Sequence, residues 1–396
     1  MEHRSSLPVK HGWGHVVAAG SFLDHLVRTQ DPVSALTQLM RATVKAVQQS
    51  RQYQCHCGWT DLKLGALEID RLRGADLKNL LRQGKLILVL DLDHTLLNST
   101  RLVDLSSEEQ YLLEQADAMK EDPNRSLFKL ESMHMLTKLR PFVHTFLREA
   151  SMLFEMYIYT MAERSYALEI AKLLDPEKVY FHSKVISQSD CTQRHQKGLD
   201  VILGAESTVL ILDDTEMVWQ KHKENLIVME RYHYFSSSCR QFRYAEKSLS
   251  EMRQDERESD GALATILGIL KRVHEMFFNQ VGGSDISSGD VRQMLKNIRK
   301  EIFADCKIVF SRIFPSNARP ENQLIWKMCE QLGAVCSAEI DTTVTHVVSV
   351  DAGTEKAKWA LQNEKFLVHP RWVEGAFYLW RRFPEEDFPV DKSRTA

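Results

Sequence analysis

The sequence predicts an α/β protein with a doubly wound parallel sheet, followed by a second, smaller α/β domain. The apolar run at 86–90 is unbroken, which is typical of a buried parallel strand, and the segments at 154–160 and 208–214 are predicted to be further strands of the same sheet. Helical apolar patterns separate these runs, and strand–helix–strand alternation implies right-handed crossovers between parallel strands. A second alternation of short strands and helices begins at residue 307. These observations predict two α/β units in one chain.

The first predicted strand ends in two carboxylates, Asp91 and Asp93, separated by one residue. Ligands of open parallel sheets bind beyond the carboxyl ends of the strands. Two acids there repel each other unless a cation compensates them, and Mg²⁺ takes carboxylate oxygens together with phosphate. The pattern therefore predicts phosphoryl transfer, in which Asp91 attacks phosphorus and forms an aspartyl-phosphate. Asp93 would protonate the leaving oxygen and then activate water.

Later features supply the rest of this chemistry. Thr160 ends the second strand, Lys197 lies in a basic segment at 193–198, and Asp213 and Asp214 end the third strand. A hydroxyl and an ammonium can hold phosphate oxygens, and the second acidic pair can complete a cation site. Acids at strand ends also serve as turn or cap residues. Two acidic pairs, with Thr160 and Lys197 between them in this order, favour the catalytic interpretation.

Length and composition indicate the number of domains and the classes of partner to expect. The chain has 396 residues, of which 43% are hydrophobic, and this permits two or three domains with real cores. The net charge of -3 does not indicate a nucleic-acid partner. No apolar run approaches the roughly 18 residues of a membrane span, so no membrane partner is expected. The 7 cysteines have scattered spacings that indicate reduced intracellular thiols.

The acidic constellation resembles the haloacid dehalogenase-like phosphotransferases, whose signature is Asp-x-Asp-x-Thr, then Ser or Thr, then Lys, then an acidic pair. Longer segments resemble one branch, the phosphatases of the RNA polymerase II C-terminal domain, and they lie at 90–99, 138–142, 157–161 and 211–219. His94, together with 193–200, is most similar to the plant members. The resemblance implies Mg²⁺-dependent hydrolysis of phosphoserine in the phosphorylated heptad-repeat tail of the polymerase, in the nucleus.

The family pattern can be carried over position by position. The catalytic positions are Asp91, Asp93, Thr160 and Lys197, and the metal positions are Asp91, Asp93, Asp213 and Asp214. Asp93 would reach the cation through its backbone carbonyl. Ala162 stands where the family usually has Gly, and residues 1–55 do not resemble the start of a typical member.

Residues 305–390 resemble a BRCT domain in the order of strands and helices, in segments 332–334 and 345–348, and in Trp372. Such domains bind partner proteins, which suggests general transcription factors as partners here. Some bind phosphopeptides, and the candidate phosphate-binding residues are Ser311, Thr354 and Lys356. Ser311 lacks the Gly that often follows it, and Thr354 is a natural N-cap. Docking without phosphate capture is therefore the alternative.

The predicted organisation has four parts: a poorly defined N-terminal region at 1–60, a phosphatase catalytic domain at 61–240, a charged connector with helices at 241–304, and the BRCT-like domain. Cys55, His56 and Cys57 offer zinc ligands, but no second pair follows, so ordinary thiols are the preferred interpretation.

Two other functions remain open from the sequence. The same fold could hydrolyse a small phosphorylated metabolite, because fold does not determine substrate. The chain could also be a scaffold that binds phosphoproteins, although the intact acidic motif argues against a silent site.

Overall fold

A computed structural model describes residues 74, 77–202, 204–281, 289–315 and 317–391. Apolar residues at helical spacing predict one helix at 33–47 and another at 69–81. The first of these, most of the second, and the segment Cys55, His56 and Cys57 lie outside the described residues. No helix in the described ranges combines the length and the apolar character needed to cross a membrane.

The described secondary structure alternates between strands and helices along most of the chain. The strands are β1 (Leu86–Leu90), β2 (Leu97–Arg101), β3 (Leu127–Leu130), β4 (Met135–Leu139), β5 (Phe154–Tyr159), β6 (Val185–Ile186), β7 (Val209–Asp213), β8 (Leu226–Val228), β9 (Lys307–Ser311), β10 (Val335–Ser337), β11 (His346–Ser349) and β12 (Phe366–Val368). The helices are α1 (Tyr111–Ala118), α2 (Val143–Leu153), α3 (Arg164–Leu174), α4 (Ser236–Phe242), α5 (Ala262–Val281), α6 (Val291–Glu301), α7 (Leu324–Gln331), α8 (Glu355–Gln362) and α9 (Arg371–Leu379).

The main sheet has five parallel strands in the order β6-β5-β1-β7-β8, as the apolar runs predict. Alternate residues of β1 face opposite sides, and both sides are buried. Leu86, Leu88 and Leu90 pack with α2, α3, α5 and α6 in one core. Ile87 and Val89 pack in a second core that contains Trp219 and is covered by short 3-10 turns. Because β1 lies in the centre, its C-terminal end lies in the middle of the sheet edge.

An antiparallel sheet, in the order β2-β4-β3, is inserted between β1 and α2. The inserted segment also contains helix α1, which lies in the polar stretch 104–125. The composition of that stretch predicts an insertion over the mouth of the site. The insertion borders the site cavity through Ser99, Met133 and Met135, whereas no residue of 104–125 lines that cavity. The strands and the turn between them, not the polar stretch, therefore form this wall.

Segment 241–304, which the sequence suggests is a connector, contributes to the main core. Helices α5 and α6 bury an apolar face that includes Ile266, Val273 and Leu295 in the same cluster as the strands of the main sheet. Trp380, at the end of α9, is also part of this cluster. The second α/β unit is thus packed against the first through shared apolar contacts.

The strands and helices of the second unit follow one another along the chain in the predicted BRCT-like order. Its four strands form a parallel sheet in the order β10-β9-β11-β12. Trp372 is fully buried and stacks on Phe303 with ring centroids 4.3 Å apart. Gly333 lies between α7 and β10 with φ +97, and a Cβ at this position would collide with the carbonyl of Lys300 at the end of α6. Only glycine combines this backbone conformation with so close an approach.

We expect Gly333→Ala to lower the free energy of unfolding by at least about 2 kcal/mol, because the left-handed conformation and the collision with Lys300 both oppose a side chain. Gly268→Ala is the matched control: Gly268 lies on the exposed face of α5 with no atom near its added Cβ. Alanine there should stabilise the protein by about 0.5–1 kcal/mol. Urea unfolding measures both changes, and equal effects would contradict the prediction.

Candidate active site

The turn after β1 places its carboxylates at the sheet edge. Asp91 continues the strand and is buried, and its N–H donates to the carbonyl of Leu212 on β7. The chain then reverses at His94, which has φ 66, and the His94 N–H donates to the Leu97 carbonyl at 2.7 Å. The hydroxyl of Thr95 donates back to Asp91 Oδ2 at 3.2 Å. The threonine of the Asp-x-Asp-x-Thr signature therefore orients the first aspartate, Asp91.

The parallel strands bring the two acidic pairs together. One carboxylate oxygen each of Asp91, Asp213 and Asp214 lies within 4.8 Å of the others. Lys197 is between them: its Nζ donates to Asp91 Oδ1 and to Asp213 Oδ2, both at 2.6 Å, and its side chain is 2% exposed. The indole of Trp219 also donates to Asp213 Oδ2 at 2.8 Å. Buried cationic and neutral donors thus compensate the carboxylates.

Burial and mutual repulsion dominate the electrostatics of this group. Burial raises the pKa of the Asp91 carboxyl well above its ordinary value, and repulsion from Asp213 adds to the increase. Burial also raises the pKa of Asp213. For Lys197 burial opposes the charged form, but attraction to Asp213 and Asp91 outweighs burial and raises its pKa. The lysine therefore stays charged and is an internal counter-ion for the acids.

Asp214 has a partner that the sequence reasoning missed. Arg231 Nε donates to Asp214 Oδ2 at 2.6 Å, and the Arg231 guanidinium lies 4.1 Å from the centre of the Phe242 ring. Thr215 Oγ1 donates to the same oxygen at 3.0 Å. Arg231 follows β8, and Asp214 follows β7, the neighbouring strand of the sheet. The only feature of the sequence that could have predicted this contact is that both residues follow the carboxyl ends of strands.

Asp93 is separated from the lysine-centred group and has its own donor. Tyr166 OH, on α3, donates to Asp93 Oδ1 at 2.6 Å, and Ser99 Oγ lies 2.8 Å from the same phenol oxygen. Burial raises the pKa of Asp93, while the hydrogen bond from Tyr166 lowers it in part. The two acids of the signature therefore have different surroundings: Asp91 faces an ammonium, and Asp93 faces a phenol.

Thr160 lies where predicted, at the end of β5, and lines the same cavity as Asp91 and Lys197. Its Oγ1 accepts a hydrogen bond from the Ala162 N–H at 3.0 Å. Because the backbone makes this contact, alanine supplies it as well as the usual glycine does. The cavity has a volume of about 630 Å³. The apolar part of its lining includes Met133, Met135, Met161 and Phe242.

Arg140 binds the backbone of the turn that follows β1, which gives a structural role to the segment 138–142 that resembles the family. Its side chain is fully buried. It donates to the carbonyls of Thr95 at 3.0 Å and Glu230 at 3.1 Å, and it forms an ion pair with Glu256 at 2.6 Å. One guanidinium therefore joins the turn after β1 to the segment after β8.

The candidate phosphate residues of the BRCT-like unit are only partly assembled. Ser311 Oγ donates to Thr354 Oγ1 at 2.8 Å, and both residues are buried. Thr354 caps α8 by accepting from the Ala357 N–H. The Lys356 ammonium instead donates to the Ala338 carbonyl. The two hydroxyls are thus adjacent and engaged with each other, whereas the lysine is turned away.

Comparison with known proteins agrees with this geometry. The family model described as NLI interacting factor-like phosphatase matches residues 86–260, and the twin BRCT domain model matches 308–372. RNA polymerase II C-terminal domain phosphatase-like 4 of Arabidopsis thaliana is 58% identical over 84% of this chain and 76% of that protein. The chain belongs to the RNA polymerase II C-terminal domain phosphatases.

Other members of this phosphatase family show how far the similarity extends. Phosphatase-like 3 of Arabidopsis thaliana is 40% identical over 84% of this chain, which spans only 28% of that protein. The solved structure of the RNA polymerase II CTD phosphatase Fcp1 shares the fold with a TM-score of 0.63, at 23% identity over 81% of this chain and 100% of that one. The predicted haloacid dehalogenase-like and BRCT units, and the predicted family, are confirmed.

The donor set fits a hard divalent cation. Asp91, Asp213 and Asp214 present carboxylate oxygens at one edge of the sheet, and cations such as Mg²⁺ prefer oxygen ligands. Asp213 has both oxygens engaged by Lys197, Trp219 and the Thr215 N–H. Asp91 also accepts at both oxygens, from Lys197 and Thr95, whereas among the described residues Asp214 accepts only at Oδ2. Asp214 Oδ1 is therefore the best placed of these oxygens to accept a metal ion, and Asp91 and Asp213 together hold the lysine.

We expect Glu256→Ala to destabilise the protein by roughly 3 kcal/mol, because it leaves the buried charge of Arg140 without its carboxylate. Glu258→Ala is the matched control, since Glu258 is exposed in the same segment; its effect should stay within about 0.5 kcal/mol. Chemical unfolding gives both values. Equal stability of the two variants would show that the ion pair does not hold the turn.

Proposed function

We propose that this phosphatase hydrolyses phosphoserine in the heptad-repeat tail of RNA polymerase II, in the nucleus, through an aspartyl-phosphate and with Mg²⁺ as cofactor. One observation carries the proposal: Asp91 and Asp93 share one turn but have different donors, Lys197 and Tyr166. That difference suits a nucleophile and a proton donor. Family membership supports the substrate, because the relatives are named as phosphatases of this tail.

The first chemical step is attack of an Asp91 carboxylate oxygen on phosphorus, which breaks the bond between phosphorus and the serine oxygen. Asp93 donates its proton to that oxygen, and the hydrogen bond from Tyr166 holds the Asp93 carboxyl group in position for the transfer. Lys197 neutralises Asp91 before attack and faces the phosphoryl oxygens. Thr160 offers a hydroxyl to the same oxygens. These residues orient the group and stabilise its charge.

The second step hydrolyses the intermediate. Asp93, now ionised, takes a proton from water, and the water oxygen attacks phosphorus to release phosphate and regenerate Asp91. Tyr166 positions Asp93 in both steps because its phenol donates to Oδ1 and leaves Oδ2 for the proton. Mg²⁺ held by Asp91, Asp214 and the Asp93 carbonyl would supply positive charge to the phosphoryl oxygens.

We also propose that the BRCT-like unit docks partner proteins, general transcription factors among them, and so holds the enzyme near the polymerase. The match to the twin BRCT domain model over 308–372 supports this role. Docking raises the effective concentration of the tail at the catalytic cavity. For phosphate capture by Ser311, Thr354 and Lys356, Lys356 would first have to leave the Ala338 carbonyl.

We expect Asp91→Asn and Asp93→Asn each to lower kcat at least about 10³-fold on heptad phosphopeptides, because an amide neither attacks phosphorus nor transfers the proton. Asp117→Asn, a change of the same kind on the exposed face of α1, should leave kcat unchanged. Phosphate release is measured from peptides that differ only in the position of the phosphoserine. Activity of Asp91→Asn near wild type would refute the aspartyl-phosphate.

We expect Asp214→Ala to change the Mg²⁺ requirement of the enzyme and Lys197→Ala to change its kcat. Asp214→Ala should raise the Mg²⁺ concentration that gives half-maximal activity, since a carboxylate ligand is lost. Lys197→Ala should lower kcat by about 10²–10³-fold at saturating Mg²⁺, because the transition-state charge loses its partner. Mg²⁺ titrations of both variants separate the two effects. Full wild-type activity in excess chelator would refute the metal requirement.

A further inference from the structure

A second cavity, of about 650 Å³, lies where β8, α6 and α7 meet, beside the catalytic cavity. Its lining is rich in charge. The cationic members are Lys223, Arg292, Lys296, Arg299, Lys300 and Lys327, and the acidic members are Glu216, Glu224, Asp290 and Glu330. We call it the α6 groove. Nothing in the proposed reaction uses it.

Two of the six cations are neutralised locally. Glu216 forms an ion pair with Lys223 at 2.7 Å, and Asp290 forms one with Arg292 at 2.7 Å. Among the described residues, no carboxylate forms an ion pair with the other four, which are Lys296, Arg299, Lys300 and Lys327. Glu330 accepts a hydrogen bond from the Trp326 indole instead. Six cations and four acids give the lining of the groove a formal net charge of +2.

Arg299 is the most informative of these cations, because it is partly buried and its hydrogen-bond partners in the described chain are neutral. Its guanidinium donates to Gln331 Oε1 at 3.0 Å and to the Leu226 carbonyl at 3.3 Å. It lies 4.4 Å from the centre of the Trp380 ring, and its Nε is shielded from water without a hydrogen-bond partner. Burial lowers the pKa of Arg299 to about 10. A buried cation of this kind gains strongly from an anion.

The α6 groove and the catalytic cavity share one short segment. Val218 lines the catalytic cavity, as does Thr215, while Glu216 lines the groove. The same 3-10 turn, Glu216–Val218, therefore separates the two. One extended heptad spans about 23–25 Å. A peptide bound at Asp91 can thus place a neighbouring residue of its own chain in the groove.

We propose that the α6 groove binds the phosphoryl group of a second phosphoserine on the same substrate chain, so that the enzyme prefers multiply phosphorylated tails. This inference rests on the proposed function. A phosphate dianion matches a guanidinium flanked by lysines. A single-stranded RNA fits less well, because the aromatic neighbours of Arg299, Phe377 and Trp380, are buried and offer no stacking platform.

The test uses two-heptad peptides with one hydrolysable phosphoserine. The second position carries a non-hydrolysable phosphonate analogue of phosphoserine, a glutamate or a serine, at several spacings. For the full chain we expect KM to be about 10-fold lower with the phosphonate than with serine at the best spacing, which corresponds to about 1.4 kcal/mol. Glutamate should give a smaller gain, and added salt should reduce both.

Charge-reversal variants locate the effect. The triple variant Lys296→Glu, Lys300→Glu and Lys327→Glu should remove the difference in KM between the phosphonate and serine peptides. The matched control reverses three exposed lysines elsewhere, Lys120→Glu, Lys172→Glu and Lys247→Glu, with the same change in net charge. It should keep the difference. All six sites are exposed, so both variants are expected to fold.

The outcomes are distinguishable. If the wild-type enzyme hydrolyses none of the singly phosphorylated peptides, the proposed function itself fails. If it hydrolyses them but shows no KM advantage for a second phosphate, or if the triple variant keeps that advantage, the second site is wrong. Stronger competition by a single-stranded RNA than by the phosphonate peptide, lost in the triple variant, would reassign the groove to RNA and overturn the proposal.

Discussion

The ammonium group of Lys197, held 2.6 Å from both Asp91 and Asp213, is the contact on which the rest of the site depends. Parallel strands bring their carboxyl ends to one edge, so a sheet that ends two strands in acids concentrates negative charge there. Burial makes that concentration more costly, because water no longer screens the carboxylates. The lysine compensates two acids at once, and Arg231 compensates Asp214. The fold can therefore hold the nucleophile and the metal ligands together at one edge of the sheet.

The sequence predicts the location of those site residues that directly follow an apolar strand. An unbroken apolar run ends where the chain leaves the sheet, so the positions of Asp91, Thr160 and Asp213 at one edge follow from the apolar pattern alone. Their neighbours could not be assigned in this way. Tyr166 reaches Asp93 across 73 residues and Arg140 reaches Glu256 across 116. Such contacts depend on how helices and loops pack, and no local pattern encodes that packing.

The connector illustrates a different limit. The charged residues and missing apolar periodicity of 239–261 predict a connector, yet Glu256 in that stretch is the counter-ion of a buried arginine. Charge density alone does not distinguish a solvated linker from a segment whose acids face inward. Because α5 and α6 share a core with the main sheet, and Trp380 of the last helix joins it, the BRCT-like unit has a defined orientation. Docking by that unit would therefore present the substrate to the cavity from a fixed direction.

The bond between Arg140 and Glu256 also has a consequence for how the protein is made. The turn that carries Asp91 and Asp93 is synthesised early, but its support from the Glu230 carbonyl and the Glu256 carboxylate is synthesised much later. At a translation rate of about 5–20 residues per second, the nascent turn waits roughly 8–33 seconds for the Glu256 carboxylate. Closing contacts of such long sequence separation is slow. The catalytic turn thus lacks these supports until residue 256 has been made, and a chain released prematurely before that residue carries the signature motif without the contacts that hold it in place.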